Sequence, residues 1–406
     1  MGVEQRSYEL FFRPAYKKLQ SGREVNFMRI AYFLQLNMGP GTGVYRKVIA
    51  QATTWQQMGN TVAFYVATKS ASLADDLQRT CKILGIEVNC EIYAGKLPPP
   101  FDGRLSSLSN LIKKLEILPP DIVYTRQDIY LPPLKRLLGH YKVVVEVNTN
   151  DLGELKNASR LFLFVYKLGR HILLGKASGI IYVSKEISNL PHYNLFKTPK
   201  LVIGNGIDLA ATRPLPPNAD KAIRLVFIGQ SGQSWHGIDK IIKLATLRST
   251  WEFNLIGISK EEMPDGCPPN VALHGVLSTN MYEPILQSSD CAIGSLALHR
   301  KDMKEASPLK VREYLGYGLP VIIGYEDTDL HSEENFILKI PNCESNVEES
   351  IHQIDNFIGN WKGIRVPRKS IESLDYNFKE RKRLMFFREV GGLAEDTIHN
   401  HNNDKL

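Results

Sequence analysis

Glu305 and Glu313 stand eight residues apart in the segment Glu305-Ala-Ser-Pro-Leu-Lys-Val-Arg-Glu313, around what reads as a helix start. Ser307 suits an N-cap, and Pro308 suits the first helical position, where a missing N–H costs nothing. The amides of Leu309 and Lys310 are then free to meet an anion, with the helix dipole behind them. Acids on both sides of a phosphate site suit a ligand with hydroxyls at each end and a diphosphate between, which describes a nucleotide sugar. In that arrangement Glu313 accepts ribose hydroxyls and Glu305 touches the transferred sugar, while Ser307 and the two amides hold the diphosphate. The alternative is a helix with an acidic first turn and a surface ion pair to Lys310 or Arg312. The continuation, Tyr314-Leu-Gly-Tyr-Gly-Leu-Pro-Val-Ile322, reads as a helix end, a Gly318-Leu-Pro320 turn and a buried strand.

Three other clusters carry candidate chemistry. Gly39-Pro-Gly41-Thr-Gly43 follows the first expected strand and opens the first helix, so its backbone could approach a phosphate or a sugar; a plain tight turn is the alternative. A dinucleotide fingerprint would close the second strand with an acid, yet that strand ends Val66-Ala-Thr-Lys69, and no Gly-Lys-Ser/Thr follows to make a Walker loop. Asn205-Gly-Ile-Asp208 is first a turn, placed to act as a hinge between domains, and only second a ligand contact. Asp327-Thr-Asp329 has the look of a divalent-metal pair, but after a late strand it reads better as a solvated acidic turn.

The elements that must position these residues alternate between strand and helix, the mark of a parallel α/β chain. Strands are expected at 30–36, 61–67, 121–126, 142–148, 179–184 and 200–203, then at 223–230, 251–257, 271–276, 291–297, 319–325 and 336–340. Val48, Ile49, Ala52 and Trp55 lie at helical spacing between the first two, with Gly59 as a stop. At 406 residues the chain exceeds one comfortable core, and Pro214, Pro216 and Pro217 mark a linker. The expected organisation is an N-terminal extension over 1–27, a domain over 28–208, a second over 209–375, a helix over 376–398 and a disordered tail over 399–406. Lys156–Lys176 is apolar on most faces, and as a helix it gathers Lys156, Arg160, Lys167, Arg170 and His171 within an arc of roughly 100°. That arc is either the solvated stripe of a core helix or a basic patch facing an anionic membrane.

Bulk properties narrow the classes. With 43% hydrophobic and 23% charged residues the composition is that of a soluble globular protein. No apolar run reaches the ~18 residues of a membrane span, and no signal-peptide core is expected at the N-terminus. A charge of +7 favours anionic ligands but is too diffuse to argue for nucleic acid. Five cysteines without Cys-x-x-Cys spacing read as reduced thiols of a cytoplasmic protein, so Asn157-Ala-Ser159 is taken as a chance glycosylation sequon.

As a group these residues resemble the family-4 retaining glycosyltransferases of the GT-B fold. The resemblance runs from Met28 through the glycine loop, Pro120-Asp-Ile-Val123, Ala177-Ser-Gly-Ile-Ile-Tyr-Val-Ser184, Gly204-Asn-Gly-Ile-Asp208 and Val226-Phe-Ile-Gly229 to the Glu-x7-Glu block. Trp235-His-Gly-Ile-Asp-Lys240 is similar to a subgroup found in bacterial surface-polysaccharide clusters. The resemblance implies two Rossmann-like domains whose parallel sheets face across a cleft, the second holding the nucleotide sugar, the first the acceptor, and a last helix that crosses back. It implies transfer of a hexose, with retained configuration, to a saccharide or lipid-linked saccharide, without cofactor or metal. The expected location is the cytoplasm, and on the membrane-facing reading of the basic arc Arg160, Lys167 and Arg170 make a peripheral contact with the inner face of the membrane. Gly41 and Gly43, Gly229 and Gln230, His236 and Gly237, and Ser307, Pro308, Leu309, Lys310 and Glu313 would then contact the donor.

The chain departs from the family pattern in two places. Where the family carries a basic residue and a Lys-Gly pair for the diphosphate, this chain has Gln230 and His236-Gly237, leaving Lys310, Lys240 or Arg300 to supply the charge. Where the family carries a histidine near the transferred sugar, Asn148 stands in Glu146-Val-Asn148-Thr-Asn150; an amide cannot titrate, though the retaining mechanism needs no base. A non-catalytic nucleotide-sugar-binding partner protein and a GT-B nucleotide-sugar epimerase are the competing readings.

Overall fold

The structure, a computed structural model, describes residues 27–393 apart from 41, 97–100, 157, 263–265 and 331–333. Gly41, the extension before Phe27 and the 399–406 tail therefore lie outside the described residues. Two parallel sheets dominate. The first has β1 (Arg29–Gln35), β2 (Thr61–Thr68), β3 (Glu87–Ile92), β4 (Ile122–Arg126), β5 (Val143–Val147), β6 (Gly179–Tyr182) and β7 (Lys200–Val202), in the order β3-β2-β1-β4-β5-β6-β7. The second has β8 (Arg224–Ile228), β9 (Glu252–Ile256), β10 (Val271–Gly275), β11 (Cys291–Ile293), β13 (Val321–Ile323) and β15 (Ile337–Lys339), in the order β10-β9-β8-β11-β13-β15. A two-residue parallel pair, β12 (Glu305–Ala306) with β14 (Glu326–Asp327), stands apart. Central strands such as β1 and β5 are buried on both faces, which is why they read as continuous apolar runs.

Six helices position the site: α1 (Gly43–Gln57), α2 (Arg160–Lys176), α3 (Lys185–Asn189), α4 (Ile238–Leu247), α5 (Leu309–Gly316) and α6 (Tyr376–Gly391). Helix α6 packs on the first sheet's side of the molecule. Its Phe387 joins an aromatic cluster with Tyr32, Trp55 and Tyr124, ring centroids 5.0–5.5 Å apart. A Cβ on Gly179 would lie 2.8 Å from the Phe386 ring, so β6 must begin on glycine for α6 to seat there. The two chain crossings run side by side: Ile207 N donates to Leu374 O and Tyr376 N to Ile207 O, both at 2.9 Å. No helix among the described residues is long and apolar enough to cross a membrane.

Two expectations require correction here. Asp327-Thr-Asp329 is no solvated turn. The guanidinium of Arg312, fully buried, donates twice to Asp327 at 2.8 Å and once to Asp329 at 2.9 Å, and Lys379 of α6 pairs with Asp329. The segment thus ties α5 to the crossing, and Arg312→Ala, which strands Asp327 and leaves Asp329 to Lys379 alone, is expected to cost about 3–5 kcal/mol in a denaturant melt. Arg170 likewise leaves the basic stripe: it is buried, donates to Asp151 at 2.6 Å and lies over the Tyr193 ring at 4.2 Å. Arg160 and Lys167 are exposed.

Candidate functional site

Parallel sheets leave a crevice beyond the carboxyl ends of their strands, and here the two crevices face each other. The cleft between them encloses about 280 Å³. From the first domain it takes Val44 and Lys47 of α1, Arg126 closing β4, Asn148 and Thr149 after β5, Ile187 of α3, and Asn205; from the second it takes Trp235, His236, Ser295, Lys301 and the run 305–310. The loop and α5 meet directly, since a Cβ on Gly43 would lie 2.9 Å from Leu309 Cδ1.

The helix start at α5 differs by one residue from the expected one. Pro308, in extended backbone, is the N-cap, and the helix begins at Leu309. Ser307 is not the cap because its hydroxyl is engaged elsewhere: it accepts from Asn205 N at 2.8 Å and from Arg312 Nη2 at 2.7 Å. Leu309 and Lys310, whose amides have no carbonyl partner within the helix, both line the cleft.

Lys310 carries the clearest signal. Its ammonium is buried 4.0 Å above the centre of the Phe227 ring and has no hydrogen-bond partner among the described residues. Burial pulls it down to about 7 from its ordinary 10.5. Beside it, His236 Nδ1 is also buried without a partner among those residues; burial, and then the charge of Lys310, push the imidazole down to about 2. Such a ring is neutral at working pH and can accept or donate a hydrogen bond but not carry charge. Gly229 makes room for it, as a Cβ there would fall 2.3 Å from the Phe227 ring and 3.0 Å from His236 Nδ1. Gln230 is exposed, and Gly237, at φ +72°, is the N-cap of α4, so this pair shapes the turn that presents His236. Of the three candidate replacement cations, Lys240 is spent on the carbonyls of Cys343 and Glu344, and Arg300 on Asp239 and Glu344. Lys310 lines the cleft with its ammonium laid over the Phe227 ring.

The two acids are placed differently, and Glu313 is not among the residues that line the cleft. Glu305 lines the cleft, and its oxygens accept from Lys185 N at 3.1 Å and Glu186 N at 2.7 Å, at the first turn of α3. Glu186 answers by accepting from Lys304 N and Glu305 N at 2.8 and 2.7 Å, so the domains clasp each other there. Glu313 is buried and receives Arg46 of α1 through two bonds of 3.0 and 3.2 Å, together with the Tyr282 hydroxyl. Neither pairs with Lys310.

Asn148 reaches the cleft inside a buried polar group that sequence reasoning missed. Lys47 Nζ donates to Glu146 at 2.9 Å and to Asn148 Oδ1 at 3.2 Å, and Asn148 Nδ2 donates back to Glu146 at 3.0 Å. Arg383 of α6 and Arg126 approach Glu146 to 3.3 and 3.9 Å. Burial alone would raise the Glu146 carboxyl, but Lys47, Arg383 and Arg126 outweigh it and hold the group far below the carboxylate range. Burial draws Lys47 down to about 8, with Glu146 opposing. A signal was present: Arg46 is a cation in a helix's first turn, where the dipole disfavours it, Lys47 follows directly, and Glu146 interrupts a Val run. Lys301, the remaining cation at the cleft, lies 3.8 Å over the Trp235 ring and reaches Glu154 of the first domain at 2.7 Å.

No protein-family model and no curated protein matches this sequence. Solved structures do. A sucrose-phosphate synthase from Thermosynechococcus elongatus superposes over 90% of this chain and 100% of its own, with TM-score 0.68 at 13% identity. A glycosyltransferase from Rickettsia africae gives 0.64 at 17%, over 90% and 99%. Anabaena HepE in complex with UDP gives 0.60 at 12%, over 89% and 100%. The chain has the GT-B fold. At such identities the likeness reaches no further than the architecture, and a structure described as a UDP-N-acetylglucosamine 2-epimerase, from Listeria monocytogenes, shares it too (TM-score 0.54, 13% identity, over 91% and 98%). Within a GT-B frame the interdomain cleft is the place where any ligand would meet both halves of the chain.

Proposed function

We propose that the protein transfers a sugar from a nucleoside diphosphate to a saccharide acceptor, in the manner of the retaining family-4 enzymes it resembles. The observation that carries this reading is the buried ammonium of Lys310, which has no hydrogen-bond partner among the described residues, beside the first turn of α5 at the cleft. A diphosphate would satisfy the cation and the free amides together, which no neutral ligand does. His236 would add a neutral hydrogen bond. Arg126, and Lys301 once released from Glu154, would supply further positive charge at the cleft, so the chain's own cations would meet a leaving diphosphate. The HepE complex holds UDP, which makes a uridine donor the first to try.

In this reading Glu313 accepts the ribose hydroxyls once Arg46 swings off it, and Glu305 faces the transferred sugar. Glu313→Gln is expected to weaken donor binding about 10-fold or more by calorimetry, while Glu305→Gln lowers kcat with less change in KM. The reverse pattern would exchange the two roles. A thermal-shift series with UDP-, GDP-, ADP- and CMP-sugars, followed by NMR of the released sugar, tests the whole. Stabilisation by a donor and release of a sugar with its anomeric configuration retained support the proposal. Binding without turnover under acceptor screening identifies a non-catalytic partner, and return of an isomerised nucleotide sugar identifies an epimerase.

A further inference from the structure

The first half of α2 shows solvent a face that a solitary helix does not leave bare. Leu161 is 75% exposed, Phe164 62%, Val165 60% and Leu168 53%. Their spacing, i, i+3, i+4 and i+7, places them in one stripe. The opposite face is rooted in the domain: Tyr166 donates to Asp151 at 2.9 Å, and Arg170, Leu173 and Leu174 are buried. Among the described residues nothing covers the stripe.

Charge points to the occupant. The 17 residues of α2 contain Arg160, Lys167, Arg170, His171 and Lys176 and no carboxylate. With Arg170 turned inward, Arg160 and Lys167 remain exposed within the same turns as the apolar stripe. An exposed apolar stripe bordered by cations, with no anion on the helix, complements a surface that is anionic at its face and hydrocarbon just beneath. A protein partner or a second copy would have to bring its own acids to match; a bilayer with anionic headgroups provides both properties.

The helix also sits beside the cleft. The turn that leads into it holds Glu154, which receives Thr149 at 2.6 Å and Lys301 at 2.7 Å, and both of those line the cleft. We propose that α2 docks the protein on an anionic bilayer through Leu161, Phe164, Val165 and Leu168, with Arg160 and Lys167 on the headgroups. The first-domain rim of the cleft then lies at the lipid surface. Resting on the transferase reading, one consequence follows: the acceptor is amphiphilic, a saccharide carried on a membrane lipid. Docking itself does not depend on that reading.

The full chain is sedimented with vesicles of phosphatidylcholine alone or mixed with phosphatidylglycerol. Binding to the anionic vesicles that falls with salt is expected. Leu161→Ser/Phe164→Ser/Leu168→Ser and, separately, Arg160→Glu/Lys167→Glu should each lower it roughly tenfold or more. All five positions are exposed, and unchanged circular dichroism and donor-induced thermal shift would show each variant folded. Absence of wild-type binding to anionic vesicles overturns the proposal, as does equal binding by either variant. So does a dimer, seen by sedimentation velocity, that the apolar variant dissolves while vesicle binding stays absent; the stripe would then belong to a second copy. If vesicle binding holds but no donor shifts the melting temperature, docking stands and the transferase reading fails.

Discussion

Lys310→Met is expected to make the protein more stable and nearly inactive. The ammonium is buried over Phe227 without a hydrogen bond among the described residues, and its displacement from 10.5 to about 7 records how unfavourable the charged form is there. A methionine of similar length keeps the packing on the ring and removes the charge, so a gain of about 1–3 kcal/mol is expected in thermal or denaturant unfolding. If the ammonium serves a developing diphosphate charge in a dry site, its loss should lower kcat/KM by about 10²–10³. The sign of the pH dependence follows from the lowered value. Between about 7 and 10.5 the unfolded chain holds a proton that the folded chain has released, so stability rises with pH across that window, and most of the penalty is in force at neutral pH. The advantage of the variant should therefore shrink between pH 7 and pH 10. A bound diphosphate favours the charged lysine, so above pH 7 donor binding should draw a proton from solution. Calorimetry in two buffers of different ionisation heat would measure it, and a variant that lost activity with no change in proton uptake would detach Lys310 from the donor.

Much of the architecture was legible because apolar strands buried on both faces declare themselves, and the expected ranges for β1, β2, β4, β5, β8 and β9 overlap the observed ones. β3 escaped because Glu87-Val-Asn-Cys-Glu-Ile92 lies at a sheet edge and is only half buried, so it has no apolar run to see. Ser307 shows a different limit. Its type and place fit a cap, but Arg312 and the Asn205 amide take its hydroxyl, and the second of these lies 102 residues away in sequence. Helix α2 shows a third. The periodicity gave an apolar helix with a basic stripe, yet it could not say that Arg170 turns inward to Asp151 while Phe164 and Leu168 face out. The site divides along the same line. The Glu-x7-Glu block and the glycine loop are local and could be read; Arg46 on Glu313 and Lys47 on Glu146 are pairs across 267 and 99 residues.

Glu146→Gln should be among the most damaging single changes outside the α5 end of the cleft. The carboxylate is 1% exposed and answers Lys47, Arg383 and Arg126 at once, with Asn148 completing its bonds. An amide of the same shape leaves Lys47 short of its counter-charge, and removing one member of such a buried group costs about 3–5 kcal/mol. Glu380, which also binds Arg383 at 2.8 Å and Trp55 at 2.7 Å, keeps α6 seated, so the damage should be a lowered melting temperature with the fold retained. Because the native carboxyl is held far below 4.5, its contribution is complete above that value and is lost as pH falls beneath it. Wild type and variant should thus differ widely at pH 7 and converge in acid. Pairing the change with Lys47→Met removes the stranded cation along with its partner, and recovery of at least half the lost stability is expected from the double variant. Failure to recover would mean that Arg383, not Lys47, is the charge Glu146 chiefly holds. Because Lys47 and Asn148 both line the cleft, the same double variant would also show whether this polar group serves the ligand or only joins α1, β5 and α6.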